Sequence, residues 1–326
     1  MTLPSTKLQN KGTNRYNQLA LFYGATPIMK NTEFIDEPAK LQYFESFFGS
    51  TTTPKRKRSP NNRADIYMSC EPIMYADSEL REKIINFLST CIDQDGKRTN
   101  QEWPKDIIAC VPMNIIGMPN YESANFLLDR TEGSGIPANL RDFASTAFEE
   151  VMAYGPMTSS PIMGSVFYID RIEIIPNPHN RPMGFPHVAL PMQDLIRGLT
   201  LNSEPILQEP IYSFNISIPN ELYSEFQKTL KSARVYIEEE EICGKDIKVN
   251  GFIPGAEITK IKGVLQSVSQ AAEPVDIKIS HYAIAPGSID KDGSPMKEII
   301  NKIRNYIVMN THGNPYPLNV HDYLDF

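Results

Sequence analysis

The sequence predicts an α+β protein in which a mixed unit precedes a ferredoxin-like domain. From Ile211 onward the segments follow the order strand, helix, strand, strand, helix, strand, which is the βαββαβ order of a ferredoxin-like sandwich. Upstream, strand-like runs surround one clear helix at 139–154, whose apolar positions form a single wide stripe. At 326 residues the chain is long enough for two or three domains, each with its own core.

Before Ile211 the sequence predicts four strands and three helices. The helix at 139–154 is introduced by Pro137 and stopped by Gly155-Pro156. Strands are predicted where β-branched and aromatic residues alternate or cluster, and helices where apolar residues recur at helical spacing. In order, these are a strand at 65–70, a helix at 78–91, strands at 106–116 and 125–128, the helix at 139–154, a strand at 165–175 and a short helix at 192–199.

After Ile211 the same periodicities predict four strands and three helices. The predicted members are strands at 212–218, 235–243, 247–255 and 275–284, helices at 221–232 and 258–269, and a last helix at 296–309. Four consecutive glutamates, Glu238 to Glu241, lie in the second of these strands. A solvated sheet edge explains them better than a metal site does.

Composition restricts the function classes. A net charge of -7 argues against a protein that coats nucleic acid non-specifically, although a local basic patch can still dock on RNA. No apolar run reaches membrane-spanning length and the N-terminus lacks a signal-peptide pattern, which predicts a cytoplasmic protein without a membrane partner. No phosphate-binding loop, catalytic constellation, metal site or cofactor motif is present, so no enzyme activity is expected. The four cysteines (Cys70, Cys91, Cys110 and Cys243) form no CxxC pair and are predicted to be free thiols.

A basic run lies in a stretch with the composition of an exposed linker, residues 49–63. It admits three interpretations: a nuclear localisation signal, an RNA contact or a solvated loop. Its four cations are Lys55, Arg56, Lys57 and Arg58.

A proline-rich loop between a predicted strand and a predicted helix is the most distinctive segment of the chain. Proline fixes φ and removes a backbone donor, so the loop loses little entropy when it is held in one shape against a partner. Its candidate binding residues are Asn177, Pro178, His179, Asn180, Arg181, Pro182, Met183, Gly184, Phe185 and His187.

This loop and its flanks resemble the C-terminal half of eukaryotic and archaeal translation elongation factor 2. The family has a loop at the tip of its fourth domain, then a proline, a helix and an EP-containing phrase, which here reads EPILQEPIY at 204–212. Further similar segments occur in the same order along the chain. They are LFYGATPIMK and LQYFESF near the start, KRSPNNRADIYMSCEPI at 57–73, FLLDRTEG at 126–133, AFEEVMAYGPM at 147–157, HYAIAPGSID at 281–290 and the closing PLNVHDYLDF.

The resemblance implies a domain organisation. It implies an N-terminal tail, a remnant of the third domain and the basic linker at 1–62, and a unit like the fourth domain, with a ribosomal protein S5 domain 2-like fold, at 63–209. A ferredoxin-like unit similar to the fifth domain follows at 210–290, and a helix and tail that return to the middle unit occupy 291–326.

Two departures from the family alter the expected activity. The similarity starts at the end of the third domain, so the chain is expected to lack the family's GTPase domain. At the tip, the family's histidine-arginine-glycine-rich sequence is replaced by prolines, so the modified histidine of the family is not expected. The family's fifth domain also carries RNA-facing basic residues, and here Lys231 and Arg234 stand at that place as secondary RNA contacts beside Lys55 to Arg58.

The resemblance implies a protein that binds the ribosome, both rRNA and ribosomal proteins, and places its tip at the A-site side. Three alternatives stay open. The chain could be half of a split translocase that works with a separate GTPase chain, using the aromatic run Tyr43, Phe44, Phe47 and Phe48 as the interface. It could be a spliceosomal relative, imported into the nucleus through Lys55 to Arg58, or an interaction module unrelated to translation.

Overall fold

The computed structural model describes residues 41–72, 114–117, 125–131, 136–176, 181–260, 276–311 and 313–325. The predicted helix at 78–91 and all but the first three residues of the predicted helix at 258–269 lie outside these ranges, as does most of the predicted strand at 106–116. Among the described residues, none of the helices is both long and apolar enough to cross a membrane.

Ten strands and four α-helices are described. The strands are β1 (Phe44–Phe47), β2 (Thr51–Arg58), β3 (Ala64–Pro72), β4 (Asn114–Gly117), β5 (Phe126–Asp129), β6 (Ser165–Ile174), β7 (Pro205–Pro219), β8 (Tyr236–Cys243), β9 (Asp246–Pro254) and β10 (Asp276–Ile284). The helices are α1 (Ala138–Ala153), α2 (Phe185–Asn202), α3 (Asn220–Ser232) and α4 (Pro295–Thr311), and short 3₁₀ turns occupy Pro60–Asn62, Gly255–Glu257 and Val320–Asp322.

The C-terminal sheet has the strand order expected of a ferredoxin-like domain. Strand β7 pairs with β10 on one side and with β9 on the other, and β8 pairs with β9, all antiparallel. Strand β1 continues the β9 side of the sheet by pairing with the first residues of β7. Alternate residues of β7 and β9 pack with Phe226 and Leu230 of α3 into one apolar cluster. The predicted α+β fold class, with a ferredoxin-like domain after a mixed unit, is therefore confirmed.

The upstream sheet has the order β2-β3-β6-β5-β4, in which only β5 and β6 run parallel. Helices α1 and α2 pack against each other and cover one face of this sheet. On β3 the buried residues Ala64, Ile66, Met68 and Cys70 alternate toward that face, as the strand period of two requires. The sheet end at which β3 begins and β6 ends carries the candidate site.

Two predictions for the N-terminal segment are wrong. Residues 51–58 are not an exposed linker, because they form β2 and pair with β3 from Thr51↔Cys70 to Arg58↔Asp65. The aromatic run at 43–48 is not a free partner interface, because Tyr43 and Phe47 are both only 1% exposed inside the larger core cluster. The charged composition of residues 49–63 led to the linker prediction because exposed edge strands are also rich in charged residues.

Helix α2 is much longer than the short helix predicted at 192–199. It starts at Phe185, with Pro186 in its first turn, and continues through Pro191 to Asn202. An interior proline costs a hydrogen bond, but Val188, Met192, Leu195 and other residues of this helix are fully buried. Apolar burial on both sides of Pro191 outweighs the loss of that hydrogen bond.

The C-terminal helix and tail pack into the same core as the middle unit. Met296, Ile299, Ile300 and Ile303 of α4 belong to the cluster that contains Phe148 and Val151 of α1. Arg304 also donates to the backbone carbonyls of residues 156 and 157, at 3.5 and 3.3 Å. The residue limits of the four predicted domains stay a prediction.

Candidate functional site

The candidate site is a tip made of three segments, which we define as Ser59–Arg63, Ile174–Pro176 and Arg181–His187. The first is the turn between β2 and β3. Asn61 and Asn62 have φ values of 58° and 51°, a left-handed conformation that asparagine tolerates better than most residues. The buried Ser59 Oγ accepts hydrogen bonds from the backbone N–H groups of Arg63 at 3.0 Å and Ala64 at 2.7 Å. These bonds fix the turn on the end of β3.

Arg63 holds both ends of the proline-rich loop. Its backbone carbonyl accepts a hydrogen bond from Ile175 N at 2.9 Å, and its Nη2 donates to the carbonyl oxygen of Arg181 at 2.5 Å. The Arg63 residue is only 9% exposed, and its Nε has no hydrogen-bond partner among the described residues. The backbone of Arg63 therefore holds the entry of the loop and its guanidinium holds the exit. Sequence reasoning missed this residue because it lay inside the presumed linker.

The exit of the loop is fixed by the start of α2. Gly184 N donates to His187 Nδ1 at 3.0 Å, and His187 N donates back to the Gly184 carbonyl at 3.0 Å. Phe185 packs edge-on against Phe143, with ring centroids 5.6 Å apart, and keeps 38% of its surface exposed. Phe185 and His187 were predicted to lie in the loop; they belong instead to the first turn of the helix.

The remaining predicted tip residues fall into three groups. Arg181 and Pro182 are exposed. Met183 is half-buried against the larger core cluster. Asn177, Pro178, His179 and Asn180 lie outside the described residues. Within the described part of the tip, Arg181 is therefore an exposed cation that a partner can contact.

A second cation near the tip was not predicted. Arg171 on β6 lies over the ring of Tyr67 on β3, 4.0 Å from its centroid, and pairs with Glu173 at 3.0 Å. Its side chain is more than half exposed. The signal was available in the sequence, because Arg171 and Glu173 alternate with the inward-facing residues of the predicted strand at 165–175.

Two of the four cations in the basic run on β2, Lys57 and Arg58, form ion pairs with carboxylates. Arg58 makes two 2.8 Å hydrogen bonds to Asp65, and this interaction lowers the pKa of Asp65. Lys57 Nζ lies 3.5 Å from Asp194 and 3.8 Å from Asp325. The C-terminal tail also lies along the outer edge of β2, since Asp325 N donates to the Arg56 carbonyl at 3.1 Å and Arg58 N to the Asp325 carboxylate at 3.0 Å.

Arg234 lies in a mostly buried ion-pair network, which favours a role in the fold over its predicted RNA contact. Its guanidinium forms ion pairs with Glu209, including a 2.8 Å bond from Nη2, and with Glu257 at 3.0 Å from Nε. Burial raises the pKa of Glu209. Burial also acts to raise the pKa of Glu257, but hydrogen bonds from Lys260 and Arg234 bring it below its ordinary value. Lys231, the companion residue, is exposed in the last turn of α3.

The smaller predictions have mixed outcomes. Glu238 to Glu241 are exposed on β8, which pairs only with β9 among the described strands, so the solvated-edge interpretation is confirmed. Cys70 is a buried free thiol and Cys243 a half-buried one, while Cys91 and Cys110 lie outside the described residues. The part of the chain that the structure describes contains no cluster of three or more histidine, cysteine or acidic side chains suited to a metal ion.

Known proteins are similar to this chain in the way that its motifs predicted. Residues 206–292 match the family described as elongation factor G C-terminus. Elongation factor 2 of Encephalitozoon cuniculi is 26% identical over 299 residues, which cover 88% of this chain and 33% of that protein. Elongation factor G of Thermotoga petrophila is 27% identical over 206 residues, covering 60% of this chain and 28% of that protein. A crystal structure from Thermus thermophilus aligns with a TM-score of 0.47 and 16% identity, over 82% of this chain and 32% of that chain.

The chain spans about a third of the length of the curated relatives it matches. Its C-terminal sheet, from β7 to β10, coincides with the segment that matches the elongation factor G C-terminus. The matched part of elongation factor 2 extends over most of the chain and thus includes the tip-bearing unit as well. The chain is therefore similar to the C-terminal part of elongation factors 2 and G.

Proposed function

We propose that the chain acts in translation by binding the ribosome in the cytoplasm through its tip, at the A-site side. The observation that carries the proposal is the clamp by Arg63, which presents Arg181 and Pro182 at the end of a rigid sheet. A binding loop held in one conformation before it meets its partner loses little entropy on binding. Similarity to elongation factors 2 and G supports a role in translation, and it is the reason for proposing the ribosome as the partner.

The contacts proposed at the tip are with rRNA and with ribosomal proteins beside it. Arginine donates two parallel hydrogen bonds to phosphate, so Arg181 would bind the RNA backbone, with Arg171 close by on the same end of the sheet. Phe185, which is partly exposed, would pack on a base or a sugar. Lys55, Arg56 and Lys231 stay predicted as secondary RNA contacts, whereas Lys57 and Arg58 already have carboxylate partners.

Co-sedimentation with ribosomes tests the proposal. The chain is expected to migrate with ribosomes at about 50 mM salt and to dissociate by about 200 mM. Arg181→Ala and Phe185→Ala should each weaken binding and the double variant should weaken it further. Lys302→Ala, which removes an exposed cation from α4, is the matched control and should not change binding. Absence of co-migration at low salt, or a double variant that binds like the unmodified chain, would refute the proposal.

A separate GTPase chain stays a prediction as a further partner. The aromatic run that suggested its interface is in the core, so the described residues supply no specific contact for it. Recovery of a GTPase in a pull-down from native extract would be required to support this partner.

A further inference from the structure

Residues 320–325 of the C-terminal tail, which we call the strap, lie on helix α2 and along the outer edge of strand β2. Tyr323 and Leu324 are 4% and 3% exposed and belong to the larger core cluster. Gly198 of α2 lies directly beneath them, since a Cβ added there would meet Leu324 at 2.6 Å and Tyr323 at 2.8 Å. Close packing thus anchors the strap immediately before Asp325.

Asp325 occupies an anion site on the edge of β2. Its carboxylate accepts a hydrogen bond from Arg58 N at 3.0 Å and lies 3.8 Å from Lys57 Nζ. Its backbone N donates to the Arg56 carbonyl at 3.1 Å, and this antiparallel bridge sets the position of the side chain. Phosphate oxygens accept hydrogen bonds from the same two kinds of donor, a backbone N–H and a lysine ammonium. The carboxylate therefore stands where a phosphate can bind.

The Asp325 side chain can be displaced while the anchor stays in place. It is 33% exposed, so its pair with Lys57 is weak. Asp194 on α2 lies 3.5 Å from the same ammonium, so two carboxylates share one cation. Burial raises the pKa of Asp194, and the negative charge of Asp325 adds to that rise. A phosphodiester has the same single negative charge as Asp325, so an exchange leaves the charge beside Asp194 unchanged.

The anion site is continuous with the tip, because Arg58 directly precedes it in the chain. The Arg58 guanidinium is held by Asp65, so the site uses the backbone N–H of Arg58 instead. Tyr67 on β3 is opposite Arg56 on one side and Arg171 on the other. These two arginines continue the row of cations from the anion site across the sheet.

We propose that the edge of β2 binds an RNA phosphate through Arg58 N and Lys57 Nζ, and that Asp325 is an internal competitor for this site. The choice of RNA rests on the proposed function, since a ribosome-bound tip brings rRNA beside β2. The strap is thus an autoinhibitory contact. It lowers the affinity of the free chain for RNA in general, and rRNA held against the tip displaces Asp325 at a high local concentration.

Removal of the competitor tests the proposal. Asp325→Ala deletes the carboxylate but keeps the backbone bond to Arg56. In fluorescence anisotropy at about 50 mM salt, this variant of the full chain should bind a fluorescein-labelled RNA hairpin about threefold more tightly, the factor expected for one partly exposed ion pair. Its log–log salt dependence should be steeper by about one, because one more phosphate is neutralised. Asp322→Ala is the matched control, since it removes the same charge from an exposed position of the strap.

Lys57→Met identifies the site at which the hairpin gains affinity. This substitution should weaken hairpin binding more in the Asp325→Ala background than in the unmodified chain, because Asp325 covers Lys57 only in the latter. Equal effects in the two backgrounds overturn the proposal. An Asp325→Ala variant that binds the hairpin like Asp322→Ala also overturns it, because the effect is then one of net charge alone.

The outcomes separate this proposal from that of the tip. Tighter hairpin binding by Asp325→Ala supports the anion site even if Arg181→Ala leaves ribosome binding unchanged, which counts against the tip alone. Ribosome binding that requires Arg181, without a gain in hairpin affinity for Asp325→Ala, overturns the anion site alone. A gain in ribosome affinity without a gain for the hairpin also overturns it, in favour of an acidic protein segment at this edge.

Discussion

Replacing Arg234 by methionine distinguishes a structural cation from an RNA contact. The side chain of Glu209 is 1% exposed and that of Glu257 is 8% exposed, and Arg234 gives both of them charge-assisted hydrogen bonds. Methionine fills much of the same volume but leaves two carboxylates without this cation. Breaking a buried ion pair by removing one partner costs about 3 to 5 kcal/mol. For a chain of this size the loss corresponds to a melting temperature lower by on the order of 10 °C.

Urea unfolding followed by far-UV circular dichroism measures this loss. At pH 8 the free energy of unfolding of Arg234→Met should be lower by about 3 to 5 kcal/mol, which is measured as a lower urea midpoint. At pH 5 the difference from the unmodified chain should shrink, because burial raises the pKa of Glu209 and, without Arg234 to oppose it, that carboxyl takes up a proton. In the variant the folded-state pKa of Glu209 lies above its unfolded value, so stability increases as pH falls.

Lys231→Met is the matched control, since it removes an exposed cation from the same segment and should change stability by less than about 0.5 kcal/mol. Combining Arg234→Met with Glu209→Gln should recover part of the loss, because one uncompensated charge is removed. An Arg234→Met variant that unfolds like the control would refute the ion-pair argument. If that variant also lost RNA affinity, the original RNA-contact prediction would be restored.

Three further predictions concern the clamp, the tail and a buried carboxylate. Arg63→Met should lower ribosome affinity as Arg181→Ala does, because it releases the Arg181 carbonyl, and Arg63→Lys should not restore the affinity. Co-sedimentation in which all three variants bind like the unmodified chain would contradict this. Gly198→Ala places a Cβ 2.6 Å from Leu324, so it should destabilise the chain by about 1 to 3 kcal/mol and make proteolysis of the C-terminal tail faster. Leu190→Ala, on the exposed side of the same helix, is the control and should not change the rate of proteolysis. Burial raises the pKa of Glu45 to about 7, so a contribution of up to about 3 kcal/mol present below pH 4.5 should be lost as pH rises through 7, and Glu45→Gln should lack this pH dependence in urea unfolding.

The sequence predicted those elements whose pattern was local. The strands of the ferredoxin-like sheet and helix α1 were found because period and stop signals agreed. Strand β2 and the part of helix α2 before Met192 were missed, because the charged residues of β2 and Pro191 of α2 have local preferences that tertiary contacts override. In both cases tertiary contacts decide the structure, because β2 pairs with β3 and packs against α2, and the apolar face of α2 is buried in the larger core cluster.

The same distinction applies to the site. Arg181 was recognised because an arginine in a proline-rich loop is visible in the sequence, whereas Arg63 is recognisable only from its contact with a carbonyl 118 residues away. Conversely, Arg234 resembled an RNA contact because its carboxylate partners are 25 and 23 residues distant. Charge alone therefore could not separate cations directed to solvent from those that hold the fold.

Rigidity between the two sheets follows from where Glu45 lies. The carboxylate is fully buried on β1, a strand of the ferredoxin-like sheet, and accepts hydrogen bonds from Met157 N at 2.9 Å, from Thr158 N at 2.7 Å and from Thr158 Oγ at 3.0 Å, all in the turn after α1 of the other unit. Helix α4 reaches the same turn through Arg304. Strand β1 and helix α4 thus join the two units, and residues of both belong to the shared core cluster. The tip is therefore held in a fixed position relative to the ferredoxin-like sheet.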